Sequence, residues 1–437
     1  MTHRLSDGSQ TLQVGMLARV EGEGGMRVAF RDGVVEDVQL NIFEPPRFYE
    51  AFLRGRRHTE PPDITARICG ICPVAYQMAA CWAIESICGA EVTDAIRAMR
   101  RLLYCGEWIE SHALHIHLLH APDFLGYDSA IEMAADHKEV VERGLRLKKA
   151  GNDLMTVVGG RSIHPVNVRV GGFYRMPDVA ALRSLRPVLV RAFEDALETV
   201  RFVGTLDFPD FEQPYTYLAL HSPEGYAIES GSVVTTAGSA FEVADFPEHI
   251  VEEHVAHSNA LHAHLDGELY VVGPLARYTL NFPQLSTACQ QAASAAGLGE
   301  TCRNPFRSIV VRAVEMAYAV EEAIRIIDGY GPGVAGAAPA VPVVPRAGQG
   351  CGASEAPRGT IFHRYVLDEA GVITDAQIVP PTSQNQPSIE ADLRRAATDW
   401  ADLDDHALTH RCEHAIRNYD PCISCATHFL DLRTTRS

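Results

Sequence analysis

The chain has 437 residues, of which 46% are hydrophobic and 22% are charged, a composition typical of a folded globular protein. Lys and Arg number 38 against 56 Asp and Glu, and the formal net charge of −18 repels nucleic-acid phosphates and anionic membrane surfaces. No run of about 18 apolar residues occurs, and the polar segment 1–13 lacks the apolar stretch of a secretion signal. These features predict a cytoplasmic protein with no nucleic-acid partner and no membrane span.

The first predicted element is a small antiparallel sheet, because residues 11–43 alternate polar and apolar side chains around glycine-containing turns. Apolar residues then recur with helical spacing in four stretches, which predict long helices over 73–120 (with a turn near Gly89), 129–155, 178–203 and 305–328.

The last hundred residues predict a mixture of elements. The Gly-, Ala-, Pro- and Val-rich segment 331–352 has no period and indicates a loop or linker. Segments 360–366 and 372–379 flank a turn and predict a hairpin, and a final helix is expected over about 388–419. The whole pattern predicts a helix-rich core accompanied by small antiparallel sheets.

Four of the eleven cysteines form two Cys-x-x-Cys pairs, Cys69 with Cys72 and Cys422 with Cys425. Pro73 suits the first turn of a helix, and free amides at a helix start favour thiolate, the form that binds metals. The other seven are interpreted as structural thiols, namely Cys81, Cys88, Cys105, Cys289, Cys302, Cys351 and Cys412.

Two such pairs imply one site with four thiolates, and zinc is the commonest occupant of that donor set. Zinc ribbons, however, usually separate their pairs by about 15–20 residues, whereas about 350 residues lie between Cys72 and Cys422. A site assembled from both ends of a chain favours an enzyme centre, and structural zinc is the alternative.

The segments around both pairs resemble the paired signatures of the nickel-iron hydrogenase large subunit, Arg-x-Cys-Gly-x-Cys at Arg67 and Asp-Pro-Cys-x-x-Cys-x-x-His at Asp420. Four further segments resemble the same family in the same order, residues 19–22, 160–165, 356–359 and 417–420. The resemblance implies an α+β fold, rich in helix, with a central bundle of long helices and small peripheral antiparallel sheets. It also implies a single domain over residues 1–437.

The resemblance implies a catalytic subunit that cleaves hydrogen heterolytically and reversibly. Cys69 and Cys422 would bind nickel terminally, while Cys72 and Cys425 would bridge nickel to an iron that carries carbon monoxide and cyanide. Soft thiolates suit both metals. In the family a cysteine thiolate takes the proton and a glutamate relays it, which points to Cys422 and Glu21. From the residues alone, Glu21 would be a solvated turn carboxylate.

Further site residues follow from the same resemblance. Arg358 matches the arginine poised over the metals, and Asp420 and Asp123 match carboxylates that orient it. Thr382 resembles a hydroxyl that donates to cyanide. Without the resemblance, Arg358 would be a surface arginine and Asp123 a residue of a helix-ending turn.

Glu50 and His428 resemble ligands of a second, structural metal, magnesium or iron, although Glu50 alone would be a helix-surface carboxylate. Residues 429–437 resemble an extension that a maturation protease removes. Tyr76 stands where many relatives have histidine. A cluster of four histidines lies on more than one helix face and is predicted to serve packing and hydrogen bonding; its members are His112, His115, His117 and His120.

The electron acceptors are expected on other subunits, because no further cluster-forming cysteine set and no Gly-x-Gly-x-x-Gly fingerprint after a strand occur. The resemblance implies an iron-sulfur small subunit. The sequence around the cysteines is most similar to that of the soluble bidirectional hydrogenases, which implies flavin and iron-sulfur subunits that react with NAD or NADP. A hydrogen-sensing regulatory hydrogenase is the other alternative; the quinone-site subunit of complex I has lost the metal ligands that remain here.

Overall fold

The first part of the chain forms the antiparallel sheet that its alternating pattern predicts. The structure is a computed structural model that describes residues 2–4 and 9–427. The strands, β1 to β4, pair in sequence order and are Thr2–Arg4, Ser9–Val14, Gly24–Arg31 and Val34–Ile42. Met26 lies opposite Leu40 and Val28 opposite Val38, and all four side chains are buried because alternate positions of a strand share one face.

Helices make up most of the remainder. Within the described residues the α-helices α1 to α16 are, in chain order, Tyr49–Leu53, Pro61–Thr65, Pro73–Cys88, Asp94–Leu114, Ala121–Leu125, Ala130–Met133, Lys138–Gly159, Val179–Gly204, Phe246–His249, Pro274–Asn281, Thr287–Ala295, Ser308–Gly329, Pro332–Ala335, Pro381–Asp399, Asp405–Arg417 and Ile423–Ala426. A π-helix follows α4 at His115–His120, and short 3-10 helices span Val243–Asp245, Phe282–Gln284 and Pro305–Arg307.

Four further small antiparallel sheets complete the described elements. Their strands, β5 to β14, are Val168–Arg169, Gly172–Phe173, Leu218–His221, Ser232–Thr235, Ala240–Phe241, Ile250–Glu253, His262–Leu265, Gly348–Ala356, Gly359–Leu367 and Ile373–Val379. The helix-rich α+β prediction is confirmed. None of the described helices is both long and apolar enough to cross a lipid bilayer.

The core is a bundle in which α4 packs against α7 and α12, while α8 packs against α7 and α12. Helices α4 and α7 approach closely at two glycines. A Cβ at Gly151 would lie 2.6 Å from the carbonyl oxygen of Gly106, so the contact has no room for a side chain. Helix α3 packs against β12 and β13.

The structure differs from the sequence prediction at three places. The helix expected over 129–155 is interrupted between Met133 and Lys138, and the helix expected over 388–419 is two helices, α14 and α15. Asp404 accepts the backbone N–H of Ala407 and thereby starts a new helix. The segment 331–352 contains α13 and the start of β12, where Gly352 lies so close to α3 that a Cβ would be 2.4 Å from the Ala79 oxygen.

Candidate metal centre

The two cysteine pairs meet in the core. The Sγ atoms of Cys69 and Cys422 are 3.5 Å apart, and those of Cys72 and Cys425 are 4.0 Å apart. All four sulfurs lie within 4.8 Å of one another, and all four residues are buried. The structure therefore brings the two ends of the chain together at one four-sulfur site.

The first pair lies in the turn that leads into α3. Cys72 is the residue before the helix and Pro73 occupies its first turn. The Cys69 sulfur accepts the backbone N–H groups of Ile71 at 3.3 Å and Cys72 at 3.2 Å, contacts that favour thiolate. The buried carboxylate of Glu107 accepts the N–H of Val74 at 2.6 Å and thus caps the helix beside the sulfurs. The sequence did not reveal Glu107, because it belongs to the next helix, α4, 33 positions from Val74.

The second pair is held by contacts from distant segments. The Cys422 N–H donates to Thr382 Oγ1 at 3.0 Å, and the Ile423 N–H donates to the Glu21 carbonyl oxygen at 3.0 Å. Gly22 has a φ of +86°, and a Cβ there would lie 2.7 Å from the Ile423 Cβ. Only glycine lets the N-terminal loop lie this close to the second cysteine pair.

Glu21 lies directly against this pair. The Cys422 thiol donates to Glu21 Oε2 at 3.2 Å, and the Ser424 N–H donates to the same oxygen at 3.1 Å. The Ser424 hydroxyl then donates to Glu44 Oε2 at 2.9 Å, and Glu44 is partly exposed. Two carboxylates thus lead from the buried thiol toward solvent. Sequence reasoning missed Ser424 and Glu44, which no motif identifies.

Arg358 is buried beside the sulfurs and bound by Asp420. Its Nε donates to the Asp420 carbonyl oxygen at 2.8 Å, and its Nη2 donates to the Asp420 carboxylate at 3.1 Å. Asp420 has a φ of +52°, a conformation that aspartate tolerates. Burial opposes the charge, but Asp420 and the cysteine thiolates hold the pKa of Arg358 well above its ordinary value. Its Nη1 is buried without a hydrogen-bond partner among the described residues.

The prediction that Asp123 orients Arg358 is wrong. Asp123 instead accepts Nε and Nη2 of Arg417, each at 2.7 Å, and pairs with Arg19 at 2.5 Å. Burial raises the pKa of Asp123, but the two guanidinium groups outweigh it and lower that pKa. Asp123 therefore connects α5 to α15 and to the N-terminal loop. Of the two carboxylates predicted to orient Arg358, only Asp420 binds it.

Glu50 is buried in α1, as a metal ligand would be. Its Oε1 accepts the Ile378 N–H at 2.7 Å, and its Oε2 has no hydrogen-bond partner among the described residues. Burial raises the pKa of Glu50 to about 8, and the nearby Glu252 adds to the increase. A cation would neutralise this carboxylate. His428, its expected companion, lies outside the described residues.

The four histidines bind separate partners, as predicted from their spread over the helix. His115 Nε2 lies 2.9 Å from the Arg417 carbonyl oxygen, and His120 Nε2 lies 3.1 Å from Asn418 Oδ1. His112 faces a glutamate and His117 a threonine. Tyr76 lies beside the cysteines; burial and the thiolates of Cys425 and Cys72 raise the pKa of its hydroxyl, so it keeps its proton.

The donor set fits a nickel-iron group. Sulfur ligands suit nickel and iron of low charge. Burial raises the pKa of the Cys72 and Cys422 thiols, and a metal cation reverses that preference by stabilising thiolate. The unused Nη1 donor of Arg358 suits a ligand that accepts a hydrogen bond.

Comparison with known proteins agrees with this donor set. A family model described as nickel-dependent hydrogenase matches residues 47–143 and 244–428. The chain belongs to this family, as the catalytic large subunit of a nickel-iron hydrogenase. Membership of this family implies a nickel-iron centre, and the four-cysteine group could bind a metal.

Particular relatives cover almost the whole chain. The sulfhydrogenase 1 subunit alpha of Pyrococcus furiosus is 34% identical over 425 residues, covering 95% of this chain and 97% of the relative. The sulfhydrogenase 2 subunit alpha of the same organism is 30% identical over 437 residues, covering 96% and 100%. The crystal structure of an NAD+-reducing [NiFe]-hydrogenase in the H2-reduced state superimposes with a TM-score of 0.87 at 26% identity, covering 98% of this chain and 100% of that chain.

Proposed function

We propose that this hydrogenase subunit passes the electrons from reversible hydrogen cleavage to an iron-sulfur small subunit and on to NAD(P) through flavin and iron-sulfur subunits. The likeness to the NAD+-reducing hydrogenase supports this route. Within the described residues, the four-cysteine centre is the one all-cysteine group that could hold a metal, so the electrons must leave through a partner.

In this proposal Cys69, Cys72, Cys422 and Cys425 would hold the nickel-iron group, whose iron would carry carbon monoxide and cyanide. The bound group supplies the two-electron chemistry that the protein side chains lack. Arg358 presents a fixed charged donor, Nη1, toward the site. The Thr382 hydroxyl accepts from the Cys422 N–H and keeps its own proton for donation to cyanide.

The contact between the Cys422 thiol and Glu21 is the observation that carries the proton route. The thiol proton is already within hydrogen-bond distance of Glu21 Oε2, at a sulfur-oxygen distance of 3.2 Å. Glu21 takes the proton and passes it outward. Glu44, bound to Ser424, supplies the next carboxylate toward solvent.

The proposal includes a second metal, magnesium or iron, bound by Glu50 and His428. The second metal is supported by the Oε2 of Glu50, which is buried without a hydrogen-bond partner among the described residues, whereas buried carboxylate oxygens normally have one. We further propose that residues 1–437 form a single domain, that a maturation protease removes residues 429–437, and that the enzyme acts in the cytoplasm, where NAD(P) is available.

Metal analysis and infrared spectroscopy of the chain purified with its native partners test the proposal, together with hydrogen-dependent reduction of NAD+ and NADP+. Nickel and iron, with carbon monoxide and cyanide bands and nucleotide reduction, are the expected result. Nickel and iron without turnover would favour a hydrogen sensor. Zinc alone would overturn the assignment, and turnover with another acceptor would overturn only the NAD(P) part.

A further inference from the structure

A second group of metal-binding side chains lies where β4, β11 and α14 meet. His257 is in the connection between β10 and β11, His262 begins β11, and Glu390 belongs to α14. One ligand atom from each residue lies within 4.8 Å of the others. None of the three contributes to the cysteine centre described above.

The carboxylate of this group is held in place by backbone. Glu390 Oε1 accepts the Leu40 N–H of β4 at 2.8 Å and lies 2.7 Å from His257 Nε2. The helix α14, the strand β4 and the connection that carries His257 are therefore already joined at this oxygen.

The second imidazole is left without a partner. His262 is 4% exposed, and its Nε2 is buried with no hydrogen-bond partner among the described residues. The His257 and His262 rings are 5.6 Å apart, between centroids, at 82°. Because buried polar atoms in native proteins are nearly always satisfied, an unpaired nitrogen that faces a histidine and a carboxylate indicates a missing ligand.

A similar group elsewhere shows why charge matters. His120, Asp123 and His414 are also close enough for one ion, but Asp123 already binds Arg417 and Arg19, whose positive charges repel a cation. Within the described residues, no Arg or Lys forms an ion pair with Glu390, and its only ion-pair partner is a histidine. The group of His257, His262 and Glu390 therefore suits a cation, whereas the group of His120, Asp123 and His414 does not.

We propose that His257, His262 and Glu390 bind one divalent transition-metal ion of the zinc, cobalt or nickel type. Two imidazoles with one carboxylate suit these ions, whereas magnesium and calcium prefer oxygen donors alone. The side chains of His257 and Glu390 are 23% and 17% exposed, which gives an ion access and leaves room for water ligands.

The ion would add a further link between segments that already pack together, α14 and β11. It would attach α14 to β11 and to the connection that carries His257, and the first turn of α14 contains Thr382, the acceptor of the Cys422 N–H. The site is thus a structural clamp on the helix that supports the second cysteine pair, and it does not take part in the reaction.

Titration of the purified hydrogenase complex with Co2+, followed by visible absorption and metal counting, tests the proposal. One Co2+ per chain is expected beyond the native metals, and Zn2+ should displace it and raise the melting temperature. His257→Gln and His262→Gln should each weaken Co2+ binding by at least about tenfold, since loss of a residue that only orients a ligand already costs about that much.

His264→Gln is the matched control, because His264 lies two positions along β11 and contacts Glu253 instead. It should bind Co2+ as the unaltered enzyme does. Absence of stoichiometric Co2+, or undiminished binding by both histidine variants, would overturn the site and leave an adventitious surface ion. If a histidine variant fails to fold, Glu390→Gln provides a further test, because its amide oxygen can still accept the Leu40 N–H. Unweakened Co2+ binding by Glu390→Gln would also contradict the proposal.

Discussion

At the residue scale, the thiol of Cys422 contacts both the cysteine sulfurs and the carboxylate that lies beside them. It contacts the sulfur of Cys69 on one side and the Glu21 carboxylate on the other. The same residue also receives support through its backbone, from Thr382. In the proposed function this one side chain joins metal binding to proton transfer, so substitutions of its neighbours can test the two roles separately.

Replacing Cys425 by serine should abolish assembly of the metal centre. A serine hydroxyl is a hard donor that stays protonated near neutral pH, so it cannot replace the thiolate ligand that we propose at this position. Nickel and iron counted in the purified variant should both fall to background. Cys88→Ser, at a half-buried thiol outside the centre, should retain both metals. Full metal content in the Cys425 variant would remove that sulfur from the ligand set.

Replacing Glu21 by glutamine should leave the metals in place and slow proton exchange. The amide oxygen can still accept the Ser424 N–H, but the side chain no longer takes a proton. Because positioned acids and bases contribute about 10²–10⁴-fold, hydrogen-deuterium exchange should slow by about 100-fold or more. Glu23→Gln, at an exposed position, should exchange normally. Unchanged exchange in the Glu21 variant would exclude this carboxylate from the route.

The cysteines could be read from the sequence because each pair is a local pattern, and Glu21 and Arg358 because they lie in short family segments. Ser424 and Glu44 could not, since 380 positions separate the two residues that share a hydrogen bond. Asp123 was misassigned for the same reason. A carboxylate in a motif does not reveal which of several arginines folding will bring to it.

At the element scale, the contact between α4 and α7 determines where the centre's supporting residues lie. Glu110 of α4 is 4% exposed and pairs with Lys148 of α7. The two helix backbones touch at Gly106 and Gly151, one turn from that pair. Close approach at small residues therefore fixes the rotation of α4, which also carries Glu107.

Gly151→Ala should destabilise the protein, because the added methyl group disrupts the close contact between α4 and α7. The added methyl group would lie 2.6 Å from the Gly106 oxygen, so the helices must separate. Overpacking of this kind lowers the free energy of unfolding by about 1–3 kcal/mol, and the melting temperature should fall accordingly. The control is Gly329→Ala at the end of α12, where nothing lies within 4 Å; its stability should be equal or slightly higher. An unchanged melting temperature for Gly151→Ala would mean that the contact tolerates a side chain.

Helical periodicity predicted α4, α8 and α12 because each has one polar and one buried face or a long apolar run. It failed at the start of α14, where residues 382–388 are all buried although all of them except Pro387 are polar. Their hydrogen bonds go to distant backbone, as when Ser388 donates to the Tyr270 oxygen at 2.8 Å. The strand β12 was missed because its glycines follow the shape of α3 and carry no hydrophobic period.

At the scale of the whole molecule, the four-cysteine site brings together segments 353 positions apart in the chain, as between Cys69 and Cys422. We expect enzyme without nickel and iron to be cut by subtilisin several-fold faster within the exposed residues 401–404, because the C-terminal segment then loses its attachment through metal to the first cysteine pair. Mass spectrometry of the fragments measures this rate. Cutting at the exposed turn 236–239 should be unaffected, and equal rates at 401–404 would show that the metals do not hold this segment.

The distance between the two cysteine pairs also has a consequence for synthesis. Ribosomes add about 5–20 residues per second, so a nascent chain presents Cys69 and Cys72 roughly 20–70 s before Cys422 exists. Throughout that interval half of the ligand set stands alone and can capture any thiophilic ion in the cell. Loading of the complete four-sulfur site therefore has to follow synthesis of the late pair.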